Sequence, residues 1–176
     1  AAEKVAPALK SIKDVKHVTV EVYEPAKVGM GTGEHHWNPD SKETADHSIP
    51  YAAGLVLLYG KIEPEYYEDP YLHDPRLLDL VSRVKCIPSE EADRHEKEFN
   101  LCDLEIVLKS GQRKTVRVDY HRGHWKNPMT DAEMEEKFRS LARRQLPPER
   151  VDNLVRQLWA LEDMPHAGAL VEMTRV

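Results

Sequence analysis

The sequence predicts an α+β fold: a small antiparallel sheet with a β-hairpin, packed against helices that include one buried apolar helix. Residues 17–23 alternate apolar and polar positions, which is the period of a half-buried strand. Residues 103–109 and 113–120 alternate in the same way around a Gly-containing loop, which is typical of a hairpin. Residues 48–59 are apolar on nearly every side, as in a helix buried within a core.

The segment between the first strand and the apolar helix has no hydrophobic period. Residues 24–46 hold three glycines, two prolines and many charges, so we expect a long loop. Loops beyond about 12–15 residues in a compact domain are usually functional or disordered. The apolar helix that follows has Ser48 as a predicted N-cap and Pro50 in its first turn, and Gly60 is expected to end it.

Capping signals mark a second helix, which we expect to begin at Asp74 and Pro75 and to carry a one-sided leucine and valine stripe. After this helix, residues 84–87 are expected to continue into a short strand. Residues 89–100 are so dense in charge that they predict a surface segment or a solvated helix.

Two further helices are predicted near the C-terminus. Residues 130–133 read Thr-Asp-Ala-Glu, which is the sequence of a capping box. Pro147 and Pro148 then separate this helix from another that starts near Glu149. The apolar stripe of that last helix consists of Val151, Leu154, Val155, Leu158 and Leu161.

The length of 176 residues suits one folded domain. Within it we distinguish an N-terminal segment at residues 1–16, an α+β domain at residues 17–128, and C-terminal helices with a tail at residues 129–176. A chain of this size is long enough to bury a sizeable core.

The composition excludes several classes of function. Lys and Arg number 25 against 31 Asp and Glu, and the resulting net charge of −6 argues against a nucleic-acid partner or an anionic membrane. The longest apolar run, residues 51–59, is much shorter than the ~20 residues of a membrane span. No secretory signal core is visible, and two cysteines, Cys86 and Cys102, fit a reducing compartment such as the cytoplasm.

Two motifs invite a cofactor interpretation but lack the residues it needs. The glycine-rich stretch VGMGTGEHHW has no Gly-Lys-Ser/Thr ending, and Glu34 stands where a dinucleotide fingerprint needs its third glycine. His121 and His124 are three residues apart, but no cysteine pair or H-E-x-x-H motif accompanies them. We therefore expect no metal and no phosphate loop.

A polar cluster at residues 44–51 joins the predicted loop to the apolar helix. It brings Asp46, His47, Ser48 and Tyr51 to a helix N-terminus, where backbone N–H groups favour carboxylates. A site for an anionic acid is one interpretation. The other is that Asp46 and Ser48 only cap the helix, while His47 and Tyr51 are hydrogen-bonded core residues.

The same cluster carries a family resemblance. It lies in ETADHSIPYAAGLVLLYGKI, which is followed by YYEDPYLHDPRLLDLVSRVKC, and both resemble the C-terminal part of the MmgE/PrpD superfamily of 2-methylcitrate dehydratases and cis-aconitate decarboxylases. Similar matches are HVTVEVY, LEIVLKSGQRKTVRVDYHRGHWKNPMT and EMEEKFRSLARRQL. The resemblance covers roughly residues 10–165.

This resemblance implies a lyase of two domains, one large and helical, the other a smaller α+β lid. Members act on citrate-like tricarboxylic acids, remove water or CO2 without a metal or organic cofactor, and are commonly homodimers. This chain resembles the lid and the C-terminal helices. Carried over by the A-D-H-S-x-P-Y motif, Tyr51 and His47 are the expected catalytic residues. Asp46 and Ser48, from the helix N-terminus that favours carboxylates, are the expected substrate-binding residues.

We therefore expect the lid domain or small subunit of a 2-methylcitrate dehydratase-like enzyme, with a site completed by a helical domain or subunit in a homo- or hetero-oligomer. Its expected location is the cytoplasm, or the mitochondrial matrix in a eukaryote. The alternative is a non-catalytic binding or interaction module that retains the lid fold. A free-standing small lyase is a third option.

Overall fold

The computed structural model describes residues 1–95, 98 and 100–175. The chain forms two compact units, Ala1–His121 and Arg122–Val176. The boundaries of the three segments expected from the sequence stay a prediction. The helices are α1 (Ala2–Val5), α2 (Glu24–Met30), α3 (Lys42–Asp46), α4 (Ile49–Tyr59), α5 (Pro75–Val81), α6 (Glu90–His95), α7 (Asp131–Ala142), α8 (Pro148–Trp159) and α9 (Gly168–Met173). Short 3-10 turns lie at Ala6–Ala8, Ile12–Asp14, Glu34–His36, Pro64–Tyr67, Tyr71–His73 and Leu161–Asp163.

Within its described residues, the first unit contains a four-stranded sheet. Its strands are β1 (Val15–Val22), β2 (Val84–Pro88), β3 (Cys102–Leu108) and β4 (Arg113–Val118). Their order is β2-β1-β3-β4, and β1 runs parallel to β2 and antiparallel to β3, which in turn runs antiparallel to β4. The α+β class and the β3–β4 hairpin are confirmed. The sheet is mostly antiparallel, with one parallel pair that needs the long crossover between β1 and β2.

The alternation in β1 decides which face of the sheet is buried. Val18, Val20 and Val22 are buried, and Val20 pairs with Cys86 on one side and Leu104 on the other. Because side chains alternate along a strand, this register puts the apolar positions of neighbouring strands on one face. Helices α1, α2, α4 and α5 supply residues to the same core.

The prediction of a long loop over residues 24–46 was wrong, because α2 and α3 both lie within it. Pro25 occupies the first turn of α2, where its missing N–H is not needed, and Ala26 is buried in the sheet core. Helix α3 is one short turn, capped by the Ser41 hydroxyl, which accepts the Thr44 N–H at 3.3 Å. Helices this short give too few positions for a 3.6-residue period to appear.

Helix α4 is the buried apolar helix that the sequence predicts. The Ser48 hydroxyl accepts the Tyr51 N–H at 3.0 Å, and Gly60 ends the helix at a φ of 85°, which favours glycine. Its buried residues are Pro50, Tyr51, Ala53, Gly54, Leu55, Val56 and Leu57. Gly54 lets α5 approach closely, since an added Cβ would lie 2.6 Å from Cγ2 of Val81.

Helix α5 begins as predicted. The Asp74 carboxylate accepts the Arg76 N–H at 2.8 Å, and it also accepts the Tyr59 hydroxyl at 2.6 Å. The predicted strand after it is confirmed as β2, and α6 forms part of the charged segment at residues 89–100. Residues 96, 97 and 99 of that segment lie outside the described residues.

The second unit consists of α7, α8 and α9 with their connections. The predicted capping box is confirmed, since the Thr130 hydroxyl accepts the Glu133 N–H and the Glu133 carboxylate accepts the Thr130 N–H. The core cluster of this unit has Leu146, Val151 and Leu154 as its buried residues. Leu158 of α8 and Leu161 beyond its end, both predicted for the apolar stripe, are 41% and 47% exposed. No described helix has both the length and the apolar character that crossing a bilayer requires.

Candidate functional site

The predicted site residues lie at the junction of α3 and α4. Asp46 ends α3, His47 follows it, and Ser48 caps α4. The two sides of this junction differ in accessibility: Asp46 and His47 are exposed, whereas Ser48 and Tyr51 are buried. The motif therefore divides into an exposed pair and a buried pair.

Asp46 and His47 form a hydrogen-bonded carboxylate–imidazole pair. His47 Nδ1 lies 2.5 Å from the Asp46 Oδ1 and 3.0 Å from the backbone oxygen of Glu43. Both partners are acceptors, so Nδ1 carries the proton, and in the neutral ring the lone pair lies on Nε2. With the His47 side chain 67% exposed, the pair presents an imidazole of fixed orientation to its surroundings.

The pKa of His47 is raised above its ordinary value. The bond to the Glu43 backbone oxygen contributes most, and the hydrogen bond and negative charge of Asp46 add to it. All three stabilise the imidazolium ion more than the neutral ring. The pair can therefore accept a proton on Nε2 and hold it, which is the requirement for a general base that later acts as an acid.

Ser48 is buried, and both of its hydrogen-bonding functions are used within the chain. Its hydroxyl accepts the Tyr51 N–H and donates to the backbone oxygen of His36 at 2.5 Å. His36 itself is buried, and Trp37 donates its indole N–H to the Val84 oxygen at 2.8 Å. Ser48 thus ties α4 to the segment before α3. Its predicted contact with substrate stays a prediction that would require one of these bonds to break.

The Tyr51 side chain is fully buried in a cluster with Ala45, Leu55, Leu72, Leu77 and Val81. Its hydroxyl donates to the backbone oxygen of Tyr66 at 2.9 Å, and the oxygen of Tyr71 lies 3.5 Å away. Burial raises the pKa of Tyr51, and nearby phenols and Asp74 add to the effect. The predicted catalytic role of Tyr51 stays a prediction, and in this geometry its hydroxyl holds backbone.

The sequence reasoning missed Tyr67, which belongs to the 3-10 turn Pro64–Tyr67. Its half-buried ring packs against the Tyr51 cluster, with ring centroids 6.0 Å apart. Burial, and then the negative charge of Asp46, raise the pKa of Tyr67. The tyrosine-rich composition of this stretch was the available signal, but its lack of a period gave no indication of which ring packs beside Tyr51.

Three cations considered as ligands for a polycarboxylate, Lys42, Arg122 and Lys126, each have a partner within the chain. Lys42, on the same helix as Asp46, binds the Glu68 carboxylate at 2.8 Å. In the second unit, Arg122 pairs with Glu133, and the Lys126 ammonium lies 5.1 Å from the Trp125 ring centroid. These pairings and the net charge of −6 mean that the chain offers none of these three cations unpaired to a polycarboxylate.

The two cysteines are partly buried, and both are free thiols. Burial raises the pKa of Cys86 to about 12 and also raises the pKa of Cys102, so both side chains stay in the weakly nucleophilic thiol form at neutral pH. Among the residues that the structure describes, no group of three or more His, Cys, Asp or Glu side chains is arranged to hold a metal ion.

Fold and site together define an α+β domain that presents an exposed carboxylate–imidazole pair on a buried helical support. The family model of the MmgE/PrpD C-terminal domain matches residues 1–161. The chain belongs to the MmgE/PrpD family, as the resemblance in the sequence implied.

Curated relatives match this chain along part of their own length. Cis-aconitate decarboxylase of Homo sapiens is 30% identical over 139 residues, which is 78% of this chain and 28% of the relative. The 2-methylcitrate dehydratase of Escherichia coli K12 is 27% identical over 172 residues, which is 93% of this chain and 35% of the relative. The chain thus spans about a third of the length of these relatives.

Proposed function

We propose that this chain is the C-terminal lid of an MmgE/PrpD-type lyase that acts on a citrate-like tricarboxylic acid, in the manner of a 2-methylcitrate dehydratase. It contributes Asp46 and His47 to an active site that a helical domain or subunit completes. One observation carries the proposal: in a chain of this family, an exposed imidazole has its Nδ1 bound by a neighbouring carboxylate.

The charge balance supports a site completed from elsewhere. A tricarboxylate needs several cationic or N–H groups around it. Lys42 is engaged by Glu68 and Arg122 by Glu133, and the chain as a whole is acidic. The positive groups therefore come from the helical part, and the lid supplies the proton-transfer pair.

The geometry of His47 suits the dehydration of a hydroxy acid. A base removes a proton from the carbon beside a carboxylate, the C=C bond forms as the C–O bond breaks, and the hydroxyl leaves with a proton as water. In our proposal Nε2 of His47 takes part in this proton transfer. Asp46 keeps the ring oriented and stabilises the imidazolium ion, which is the role of a carboxylate beside a catalytic histidine.

Kinetics of the enzyme that contains this chain test the proposal. His47→Gln is expected to lower kcat with 2-methylcitrate by about 10²–10⁴-fold, the usual contribution of general acid–base catalysis. His73→Gln is the matched control, because His73 is also exposed, 3.6 Å from the Asp69 carboxylate. If both variants keep their activity within about twofold of the wild type, His47 has no part in the reaction.

A second experiment tests whether the site needs a partner. The chain is purified alone and after co-expression with a helical MmgE/PrpD-type domain, and dehydration of 2-methylcitrate is measured for each. We expect activity only in the assembled form. If the chain alone turns over within about tenfold of a full-length relative, the shared-site proposal fails.

The alternative, a non-catalytic binding or interaction module, makes the opposite prediction. Co-purification with a helical partner would then occur without any activity that depends on His47. We further propose a homo- or hetero-oligomer in the cytoplasm, or in the mitochondrial matrix of a eukaryote, since one relative from Yarrowia lipolytica is named a mitochondrial 2-methylcitrate dehydratase.

A further inference from the structure

A cleft that contains three lysines lies where the N-terminal segment meets the tip of the β3–β4 hairpin. Residues 8–11 and Asp14 line one side of it, and residues 108–110, Gln112 and Lys114 line the other. The volume of this lysine cleft is about 530 Å³, within the range of cavities that hold small organic ligands. The cleft is therefore large enough for an organic molecule rather than a single ion.

The three ammonium groups of the lysine cleft have no carboxylate partner. Among the residues that the structure describes, no ion pair and no side-chain hydrogen bond is found for Lys10, Lys109 or Lys114, whereas Lys42 binds the Glu68 carboxylate. One carboxylate, that of Asp14, is part of the lining. Positive charge is thus in excess in the cleft, although the chain as a whole carries a net charge of −6.

The register of the hairpin directs Lys114 into the cleft. Lys114 pairs with Ile106, which is fully buried, so its side chain leaves β4 on the core-facing side of the sheet. Val116, two residues further on, lies on the same side and packs against the core. Arg113 points to the opposite face, where it binds the Glu105 carboxylate at 2.8 Å. Lys114 is therefore half-buried at the edge of the core, with its charge unpaired.

The lysine cleft lies at the other end of α4 from His47. A neighbouring cavity shares residues 9–11 with the cleft and is also lined by residues 57–58 and Gly60, at the C-terminal end of α4. Helix α4 has 11 residues, so its two ends are about 15 Å apart. A small molecule in the cleft would therefore not compete with one bound beside His47.

We propose that the lysine cleft binds a small organic anion that carries at least two phosphate or carboxylate groups. Lysine binds either group as a point charge, and three lysines around one cleft match more than one negative charge. The Ser11 and Ser110 hydroxyls accept backbone N–H groups and keep their own O–H to donate. Leu9 and Leu108 provide an apolar wall for the uncharged part of the ligand.

Isothermal titration calorimetry of the enzyme that contains this chain tests the site, with inorganic pyrophosphate and citrate as probes at low salt. We expect at least one probe to bind, and Lys114→Gln to weaken that binding about tenfold, the effect of losing a hydrogen bond to a charged group. Lys13→Gln is the matched control, because Lys13 is an exposed lysine of the same segment that does not line the cleft. Its affinity for the probe should stay within about twofold of the wild type.

The choice of probe separates the two classes of anion. Binding of pyrophosphate that depends on Lys114 would assign the cleft to phosphate groups, and binding of citrate that depends on Lys114 would assign it to carboxylates. Citrate bound beside His47 would be unaffected by Lys114→Gln. The proposal is overturned if neither probe binds in a way that depends on Lys114, or if Lys13→Gln weakens binding as much as Lys114→Gln does.

Asp14→Asn should change the affinity in the opposite direction. Removing this carboxylate from the lining should tighten binding of the probe about two- to fivefold, because its repulsion of the anion is lost. A substitution that only disturbed the cleft would weaken binding instead, which would contradict the proposal. The other occupant of a basic cleft is an acidic surface of the helical domain. If Lys114→Gln weakens assembly with that domain and neither probe binds, the cleft is a protein interface and the small-anion proposal fails.

Discussion

Helices α3 and α4 follow one another directly and have opposite relations to solvent. Of α3, which the structure describes in full, Ala45 alone is buried, while α4 is buried on nearly every side. His47 and Ser48 form the boundary between them: the first is exposed, and the second is 2% exposed. A motif of a few residues thus contains both the most accessible and the least accessible polar groups of the candidate site.

The difference in burial separates residues that stabilise the fold from residues that are accessible to solvent. The buried residues of α4 give a rigid support whose hydroxyls are used to hold backbone, at His36 and at Tyr66. Asp46 at the end of α3 and His47 after it are exposed, and His47 keeps its Nε2 unused by Asp46 and Glu43. A site is most precise when its reacting groups stand on an element whose own side chains are fixed by packing. The following predictions test this comparison.

The largest expected effect is loss of the Tyr51 ring. Tyr51→Ala should lower the free energy of unfolding by about 3–5 kcal/mol, as for other large-to-small changes of a buried aromatic residue. Asp46→Ala, five residues earlier, should change it by no more than about 0.5 kcal/mol. Urea unfolding followed by circular dichroism measures both. Similar values for the two variants would contradict the division into support and site.

Gly54 tests how closely α4 is packed. An alanine Cβ there would lie 2.6 Å from Val81 Cγ2 and 3.2 Å from Leu77 Cδ1, so Gly54→Ala should cost about 1–3 kcal/mol of unfolding free energy. Gly29→Ala is the control, because Gly29 is helical with nothing within 4 Å of an added Cβ. It should stabilise the protein by up to about 1 kcal/mol. A stabilising Gly54→Ala would mean that α4 and α5 are loosely packed.

The two serine caps give a direct comparison of the helices. Ser48→Ala removes the cap of α4 and leaves the His36 oxygen without its donor, so we expect a loss of about 1–2 kcal/mol in unfolding free energy. Ser41→Ala removes the cap of α3, where water can replace the hydroxyl, and should cost about 0.5 kcal/mol. Thermal or urea unfolding of both variants measures the two losses of unfolding free energy. Equal losses would show that burial adds nothing to the cap at Ser48.

Much of the fold followed from local rules in the sequence. The caps at Ser48, Asp74 and Thr130 were predictable because capping depends on the side chain and its immediate neighbours. The helices inside residues 24–46 were not, because α2 and α3 are too short to show a period. The parallel pairing of β1 with β2 was not predictable either. It depends on where the connecting segment of about sixty residues brings the chain back to the sheet.

The candidate site was predictable only in its position along the chain. The motif indicated Asp46, His47, Ser48 and Tyr51 as a group, but burial separates them into one exposed pair and one buried pair. Which hydroxyl points inward depends on tertiary packing, and packing has no local signature. Tyr67 illustrates the same limit: its ring packs beside Tyr51, although it lies sixteen residues further along the chain.

The smallest expected effect concerns the ionisation of His47. Because the Glu43 carbonyl and Asp46 raise its pKa, NMR titration should give a pKa above 6.5, and Asp46→Asn should lower it while the carbonyl bond still acts. Glu43→Gln should change it much less, since the Glu43 contact is made by backbone.

The sign of the linked stability effect follows from the direction of this shift. A folded-state pKa above the unfolded one means that the folded protein binds the proton more tightly, so the pair contributes stability below the unfolded pKa and loses it as pH rises through the folded one. The unfolding free energy should therefore fall slightly over that interval, and less so in Asp46→Asn. If His47 titrates at 6.5 in both the wild type and Asp46→Asn, the Asp46 carboxylate does not hold the ring. The exposed pair would then not be a carboxylate–imidazole pair in solution.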